Sequence, residues 1–356
     1  MTTKSKILSI LSLSEFISGE ELARKCDVSR AAVWKAINSL RSDGFEIEAV
    51  TNRGYRISSL PDKLAEEKIE EIIQKSDVRA GKIFCFDTID STNSEAKRQA
   101  VLVGAFRDQS GALTEKGKSF NRAVFVAEQQ TAGRGRLGRV FESPQRAGIY
   151  FSLLYAPQGG LENPALFTAT AAVAVCQTLD CLFGTECKIK WVNDIFCGNK
   201  KICGILTEGI SNFETGKIEA AIVGIGINIR NAGFDEELSK VAGNIEEALS
   251  SAGKNFPSVS KNEIVAGVIS RLLAFYDGYE RNEPNLLEKM FSEYKSRSIL
   301  IGKTVRINPI AGASGESYEA KVLDISQNAG LVVETSDGKK KELSSGEVSL
   351  HGFNFG

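Results

Sequence analysis

Apolar positions over the first sixty residues change their period from helical to alternating. Ser5 to Leu13 carries them at helical spacing, and Gly19 to Cys26 reads as a short second helix. Asp27-Val28-Ser29 is a tight turn whose Ser29 can cap the next helix. That helix, Arg30 to Arg41, puts Val33, Ile37 and Leu40 on one face. From Phe45 to Ile57 the period falls to two on either side of Thr51-Asn-Arg-Gly54, which predicts a hairpin. Helix, helix, turn, helix and ribbon together predict a winged helix-turn-helix over 1–61, with Pro61 marking its exit.

Beyond it, 62–74 reads as a charged amphipathic connector. Strands and helices mix from about Gly81 to Phe234, with buried strands expected at Val124-Phe-Val-Ala127 and Ala221-Ile-Val-Gly224. Helices are predicted over Asn262 to Tyr279 and Pro284 to Ser296. The polar, Gly-rich stretch from Phe106 to Asn121 predicts a mobile surface loop. From Ile299 onward short apolar runs alternate with turns at Gly302, Gly315, Gly330, Gly338 and Gly346, as in a small β-barrel. The expectation is an α+β chain in three parts: 1–61, 62–297 and 298–356.

Composition narrows the chemistry more than the fold. The chain is 42% hydrophobic and 25% charged, with a net charge of -1, which argues against a protein that coats nucleic acid or membrane along its length. We find no apolar run reaching the ~20 residues that span a bilayer, and Lys4 to Leu13 leads into Glu20 and Glu21 without a cleavage-site pattern. Seven cysteines without a C-x-x-C pair favour reduced thiols in a cytoplasmic protein over a zinc ribbon or disulfide framework. The only histidine is His351, so His-based acid–base catalysis or a His-rich metal site would rest on that one residue. The chemistry should instead use Lys, Arg, backbone amides and substrate phosphates.

Residues 1–60 hold four Lys and five Arg against seven acids, a net of 9 − 7 = +2. Ser29 to Arg41 carries Arg30, Lys35 and Arg41 without an acid, and Arg53 and Arg56 stand alone at the wing. Local cationic surface of this kind neutralises DNA phosphates. Ser29, Arg30, Ala31 and Lys35 are the candidates for the major groove, and Arg53 for the wing. A winged helix used for protein contacts, or as a purely structural unit, is the plainer alternative.

The central segments point to an anionic ligand. In Gln130-Thr-Ala-Gly-Arg-Gly-Arg-Leu-Gly-Arg139 three glycines admit a close backbone approach and three arginines supply fork-shaped donors, a cradle for phosphate and carboxylate. Gly133, Gly135 and Gly138 also match dinucleotide-binding spacing, but loop and strand follow where a helix is required. Gly111 to Ser119 ends like a P-loop, yet it has five residues between its glycines where four are needed. Lys190-Trp-Val-Asn-Asp194 leads into Lys200-Lys201-Ile-Cys-Gly204, and a hairpin there brings a lysine near the arginine loop. Trp191 reads as core and Lys200 as a solvated turn charge. Gly224-Ile-Gly-Ile-Asn228 is either a crowded strand or a wall flattened against a ligand.

Taken in order, Ser91-Thr-Asn93, Gln130-x-x-Gly-Arg-Gly-Arg-x-Gly-Arg139, Lys190-Trp-x-Asn-Asp194, Lys201-x-x-Gly204 and Gly224-x-Gly-x-Asn228 resemble the biotin–protein ligases. With the winged helix in front, the chain is similar to the bifunctional type that also represses biotin genes. The resemblance covers nearly the whole chain, including Ser345-Gly-Glu-Val348 in the C-terminal part. It implies a class II synthetase-like ligase domain of mixed α/β type and an SH3-like barrel at the C-terminus.

For the site, the resemblance implies that Ser91, Thr92, Asn93 and Gln130 hydrogen-bond the biotin head group. Gly204, Gly224 and Gly226 would line its pocket. Gly133, Arg134, Gly135 and Arg136 would close over the adenylate, with Arg136 and Lys201 against the biotin carboxylate and α-phosphate. Arg139, Lys190, Asn193 and Asn228 would lie near the nucleotide, and Asp194 would orient or deprotonate the acceptor amine. The implied reaction joins biotin to ATP as biotinyl-5'-AMP, with Mg2+ leaving on pyrophosphate, and then acylates a lysine of a biotin carboxyl carrier protein. The adenylate would also act as corepressor, and a ligand-dependent homodimer would bind operator DNA of biotin genes; no metal ligands and no membrane contact are expected. Two segments depart from the pattern: 106–121 is longer than usual, and 231–244 offers only Phe234 where an adenine-covering aromatic is expected. A lipoate or other acyl–protein ligase, and a regulator that only senses its ligand, are the competing readings.

Overall fold

The computed structural model describes residues 2–42, 44–59, 62–157, 164–212, 216–308, 316–344 and 347–350. Pro61, His351, Gly315 and the Ser345 and Gly346 of the C-terminal motif lie outside these. The chain divides into two compact units, Met1–Lys63 and Leu64–Gly356.

In the first unit helices α1 (Thr3–Ile10), α2 (Gly19–Cys26) and α3 (Arg30–Ser42) precede an antiparallel pair, β1 (Glu46–Val50) and β2 (Gly54–Ser59). Ser18 and Ser29 accept from the N–H groups of Glu21 and Ala32, so α2 and α3 both start on serine caps. Ile7, Leu22, Val33, Ile37 and Leu40 close one core with Ile47 and Ile57 from the ribbon. Gly54 is obligatory at the ribbon's turn: its φ is +98° and a Cβ there would lie 2.0 Å from the Ile17 carbonyl oxygen.

The second unit begins with α4 (Glu66–Ile73) and β3 (Ile83–Phe86), followed by α5 (Thr92–Val103), α6 (Glu115–Phe120), β4 (Ala123–Ala127) and β5 (Gly148–Tyr155). Next come α7 (Pro164–Phe183), β6 (Lys188–Lys190), β7 (Asp194–Cys197), β8 (Lys200–Ser211) and β9 (Ile218–Asn228). Helices α8 (Glu236–Val241), α9 (Ile245–Ser251), α10 (Lys261–Glu280) and α11 (Leu286–Arg297) complete this part. The seven strands form one sheet in the order β3-β4-β5-β9-β8-β7-β6, in which only the β3–β4 pair is parallel among those recorded.

Alternation along the central strands decides which face carries what. Ile149, Phe151 and Leu153 of β5 and Val223, Ile225 and Ile227 of β9 face a core built with α7 and α10. The opposite face pairs Ser152 with Gly224 and Tyr150 with Gly226. At one end α5 covers that face, where Ala96, Ala100 and Val103 meet Phe125 and Ile222. The other end carries glycine in place of bulk.

Three expectations need correction. The segment 62–74 is no free connector: Ile69 and Ile73 of α4 are buried against α10, whose Asn262 accepts the Ala65 N–H at 2.9 Å. The stretch 106–121 is packed, since Phe106 is fully buried and its N–H reaches Glu219. A helix of sufficient length and apolarity to cross a membrane does exist, α7, but 78% of that window is buried inside the domain. Its apolar surface meets the sheet, α10 and α11, which explains its composition.

The last part holds β10 (Thr304–Asn308), β11 (Tyr318–Ile325), β12 (Leu331–Thr335), β13 (Lys340–Leu343) and β14 (Glu347–Leu350) in one antiparallel sheet of order β13-β12-β11-β10-β14. Among the described residues no pairing closes β13 onto β14, so the expected barrel is seen as an open sheet. Its Ala329 carbonyl accepts the buried Trp191 indole N–H at 2.7 Å, which fastens it to the hairpin at Lys190–Asp194.

Candidate active site

The glycine-bearing end of the sheet face is floored by Gly204, Gly224 and Gly226. A Cβ at Gly224 would come 2.0 Å from Asn93 Oδ1, and one at Gly226 would come 2.4 Å from the Phe141 ring. The ring also lies against Gly204 and meets Tyr150 edge-on at 6.3 Å. These glycines therefore let an amide and an aromatic ring lie directly on the backbone. Burial, with smaller contributions from Glu128 and Glu142, holds the Tyr150 hydroxyl well above its ordinary pKa, so it stays a neutral donor to the Pro144 carbonyl.

The α5 N-terminus brings Ser91, Thr92 and Asn93 to this floor, all three buried. Ser91 caps the helix through the Ser94 N–H. The backbone N–H and hydroxyl of Thr92 both donate to Gln130 Oε1, at 2.8 and 3.2 Å. Asn93 Nδ2 donates to the Leu206 carbonyl at 3.2 Å and to Glu208 Oε2 at 2.9 Å. The Ser152 hydroxyl donates to Asn93 Oδ1 at 2.6 Å and lies 2.7 Å from Thr92 Oγ1.

The arginine loop doubles back on itself. Gly135 N–H donates to the Arg139 carbonyl and Phe141 N–H to that of Gly133, with Leu137 left-handed (φ 56°) at the tip. Gly133 admits no side chain, because a Cβ would lie 2.2 Å from the Phe141 carbonyl oxygen. From this loop Arg134 reaches Glu208 at 3.1 Å, and Arg136 donates to Asn193 Oδ1 at 2.9 Å.

The β7–β8 hairpin supplies the second cation. Its register slips by one residue between Ile195 and Phe196, setting Phe196 opposite Lys201 and Asp194 opposite Gly204. This bulge turns Lys201 onto the glycine face, where its ammonium lies 2.8 Å from Asp194 Oδ1. That oxygen is buried, and its contact with the ammonium is an ion pair without an aligned hydrogen bond. Arg136 and Lys201 thus meet adjacent residues, Asn193 and Asp194, from separate segments.

Other expected site residues have the following surroundings. Asn228 is buried with its Nδ2 committed to the Gly243 carbonyl at 3.1 Å, which ties down the segment after β9. Lys190 pairs with Asp194 across β6 and β7, while the Arg139 side chain is exposed at the loop's edge. Lys200 is no solvated turn charge: its ammonium donates to the Lys240 carbonyl at the end of α8. Phe234 is half-buried just before α8. Glu208, Ser152 and Phe141 were not anticipated; Glu208 shares the face of Gly204 by even spacing along β8, a signal the sequence did carry.

In the first unit Ser29, Arg30, Ala31 and Lys35 are exposed on α3 together with Trp34, whose 58% exposure on the same helix was not foreseen. Arg41 is drawn away, donating to the Ile47 carbonyl at 2.7 Å. Nor does Arg56 stand alone: it pairs with Glu48 at 2.6 Å, its cross-strand neighbour. Arg53 lies 4.3 Å over the Phe16 ring, with Arg56 at 4.6 Å from the same ring.

Similarity to known proteins follows the same division. A family profile described as the Biotin/lipoate A/B protein ligase family matches residues 113–228, and one described as an HTH domain matches 3–56. The chain is 33% identical over 340 residues to the bifunctional ligase/repressor BirA of Bacillus spizizenii, covering 95% of this chain and 94% of that one. It is 28% identical over 352 residues to the BirA of Escherichia coli, covering 98% and 97%. Among solved structures, the biotin protein ligase from Aquifex aeolicus in complex with biotin and ATP superposes with a TM-score of 0.56 at 26% identity, over 76% of this chain and 98% of that one.

Proposed function

This chain belongs to the bifunctional biotin ligase/repressor family, and from that premise we propose how its own residues carry out the two activities. It activates biotin with ATP as biotinyl-5'-AMP, transfers the biotinyl group to a lysine of a carrier protein, and acts on DNA as a repressor through its first unit. The observation that carries the catalytic assignment is the meeting of Arg136 and Lys201 at Asn193 and Asp194, beside the glycine floor.

In the first half-reaction the biotin carboxylate attacks the ATP α-phosphate and pyrophosphate leaves. Both reactants are anions, so Lys201 and Arg136 offset their repulsion and stabilise charge developing at phosphorus. Ser91, Thr92, Asn93 and Gln130 form the head-group wall, and Gly204, Gly224 and Gly226 its floor. Gly133, Arg134, Gly135 and Arg136 close over the adenylate and keep water from the mixed anhydride. Arg139, Lys190, Asn193 and Asn228 border the nucleotide. In the second half-reaction the lysine amine attacks the acyl carbon, the bond from that carbon to the phosphate oxygen breaks and AMP leaves, and Asp194 orients the amine or takes the proton it loses.

Magnesium would arrive on the ATP phosphates. We assign the reaction to the cytoplasm, the C-terminal sheet to an SH3-like barrel, the central part to a class II synthetase-like scaffold, and the DNA-bound form to a ligand-dependent homodimer. Ser29, Arg30, Ala31 and Lys35 would then face the major groove and Arg53 the flanking backbone. Transfer of labelled biotin to a carrier-protein lysine, with lipoate as competitor, tests the ligase reading. Preferential transfer of lipoate, or no transfer, refutes it.

A further inference from the structure

One carboxylate joins the two halves of the site. Glu208 Oε2 accepts from Asn93 of the head-group wall at 2.9 Å, while its Oε1 lies 3.1 Å from Arg134 of the arginine loop. The hydrogen bonds continue from Asn93 through Ser152 to Thr92, from Thr92 to Gln130, and from Gln130 Nε2 to Ser143 Oγ at 2.9 Å. Ser143 in turn donates to the Phe141 carbonyl at 2.8 Å. The circuit therefore leaves the loop at Arg134, crosses the head-group wall and returns to the same loop at Phe141.

Neither Glu208 nor Ser152 belongs to the cationic pair that serves the chemistry. Both amide hydrogens of Asn93 are committed, to Leu206 and Glu208, so the Glu208 charge fixes which way that amide points. Its own side chain is only 19% exposed and lies between the sheet and the loop. Asn93 and Arg134 both donate to Oε2, at 2.9 and 3.4 Å, and the Arg134 guanidinium lies 3.1 Å from Oε1, so this carboxylate is the charged link between wall and loop.

We propose that Glu208 is a positioning residue that couples biotin head-group recognition to closure of the arginine loop. This rests on the reading of the floor and wall as the biotin site. A ligand that settles the head-group wall settles Asn93, hence Glu208, hence Arg134, and the loop follows. The converse also holds: a loop held by Arg134 presents an ordered wall to the ligand.

The test compares wild type with Glu208→Gln and Glu208→Asp in the full chain. The glutamine variant keeps the shape and an acceptor for Asn93 but loses the charge that holds Arg134. Expected for Glu208→Gln is a rise of about tenfold in KM for biotin in pyrophosphate exchange, from the loss of one charge-assisted bond, with kcat at saturating biotin within about twofold. Trypsin cleavage at Arg134, Arg136 or Arg139 should slow on adding biotin in wild type and not in Glu208→Gln, while Glu208→Asp recovers part of the protection. A simple loss of structure would lower kcat and thermal stability without this split. If wild type forms biotinyl adenylate and Glu208→Gln keeps its KM and its biotin-dependent protection, the coupling is refuted alone. A wild type that forms no biotinyl adenylate overturns the site reading and the coupling with it.

Discussion

Lys201→Ala separates the catalytic reading from a merely structural one. The Lys201–Asp194 pair lies 2.8 Å apart with side chains 28% and 22% exposed, and Arg136 reaches the neighbouring Asn193. Two cations against one carboxylate leave this corner at 2 − 1 = +1; the substitution brings it to zero. A unit charge about 4 Å from a reacting phosphate contributes roughly 4 kcal/mol at an effective dielectric near 20. Removing one preorganised charge-stabilising group from an active site typically costs about 10²–10³ in rate. Stability should suffer little, by less than about 1 kcal/mol, because a partly exposed ion pair contributes weakly to folding.

Pyrophosphate exchange at saturating biotin and ATP should therefore fall about 10²–10³-fold in Lys201→Ala, while KM for biotin moves less than about tenfold. The assay reads the first half-reaction alone, so carrier binding and acyl transfer do not enter. Exchange within about fivefold of wild type, in a variant whose melting temperature is unchanged, would refute the role given to Lys201. It would also remove the physical reason for the bulge that turns this residue onto the glycine face.

Gly224→Ala places a Cβ 2.0 Å from Asn93 Oδ1, so the Asn93 amide must leave its bonds to Ser152 and Glu208; titration calorimetry should show biotin affinity lowered at least tenfold, with stability reduced by about 1–3 kcal/mol in urea unfolding. Lys35→Ala and Arg53→Ala should each weaken DNA binding nearly equally across sequences and flatten the slope of log affinity against log salt by about 1, measured by fluorescence anisotropy. Asp90 is held down to about 2 chiefly by its paired hydrogen bonds from Arg98. Its contribution is therefore complete above the ordinary carboxylate value and lost as pH falls from about 4 to about 2. With both side chains about half exposed (44% and 50%) it stays below about 1 kcal/mol, and the stability gap between wild type and Asp90→Asn should close over that acid range.

Local pattern made the elements legible and long-range pairing made the errors. The serine-capped α3, the ribbon with its obligatory Gly54 and the glycine strand β9 all follow from neighbours in sequence. The misread segments are those whose partners are remote. Ile69 and Ile73 look like one face of an exposed connector until α10, almost two hundred residues later, covers them. Phe106 sits in a polar stretch whose order comes from Glu219 on β9. The site divides in the same way. Motif spacing pointed to Arg136, Lys201 and the three glycines, but whether Arg136 would meet Asn193, or Arg134 would meet Glu208, depends on a loop folding over a sheet. Periodicity along β8 could have placed Glu208 on the glycine face; nothing local could have given its partner.

The electrostatics of the resting site explain how such a dense cationic corner is tolerated before substrate arrives. Arg134 has Glu208, Arg136 has the amide oxygen of Asn193, and Lys201 has Asp194. Each partner is a protein group at 2.8 to 3.1 Å, so the three cations are held at the cleft before any phosphate is present and little reorganisation remains for the reaction. The two ion pairs are partly exposed, hence weak, and an incoming carboxylate or phosphate can displace them at small cost. Full burial would have made the same pairs expensive to open. Placing the cations at a half-open edge, over a floor stripped to glycine, keeps them both ordered and available, and that balance is what binding of two anions in one cleft requires.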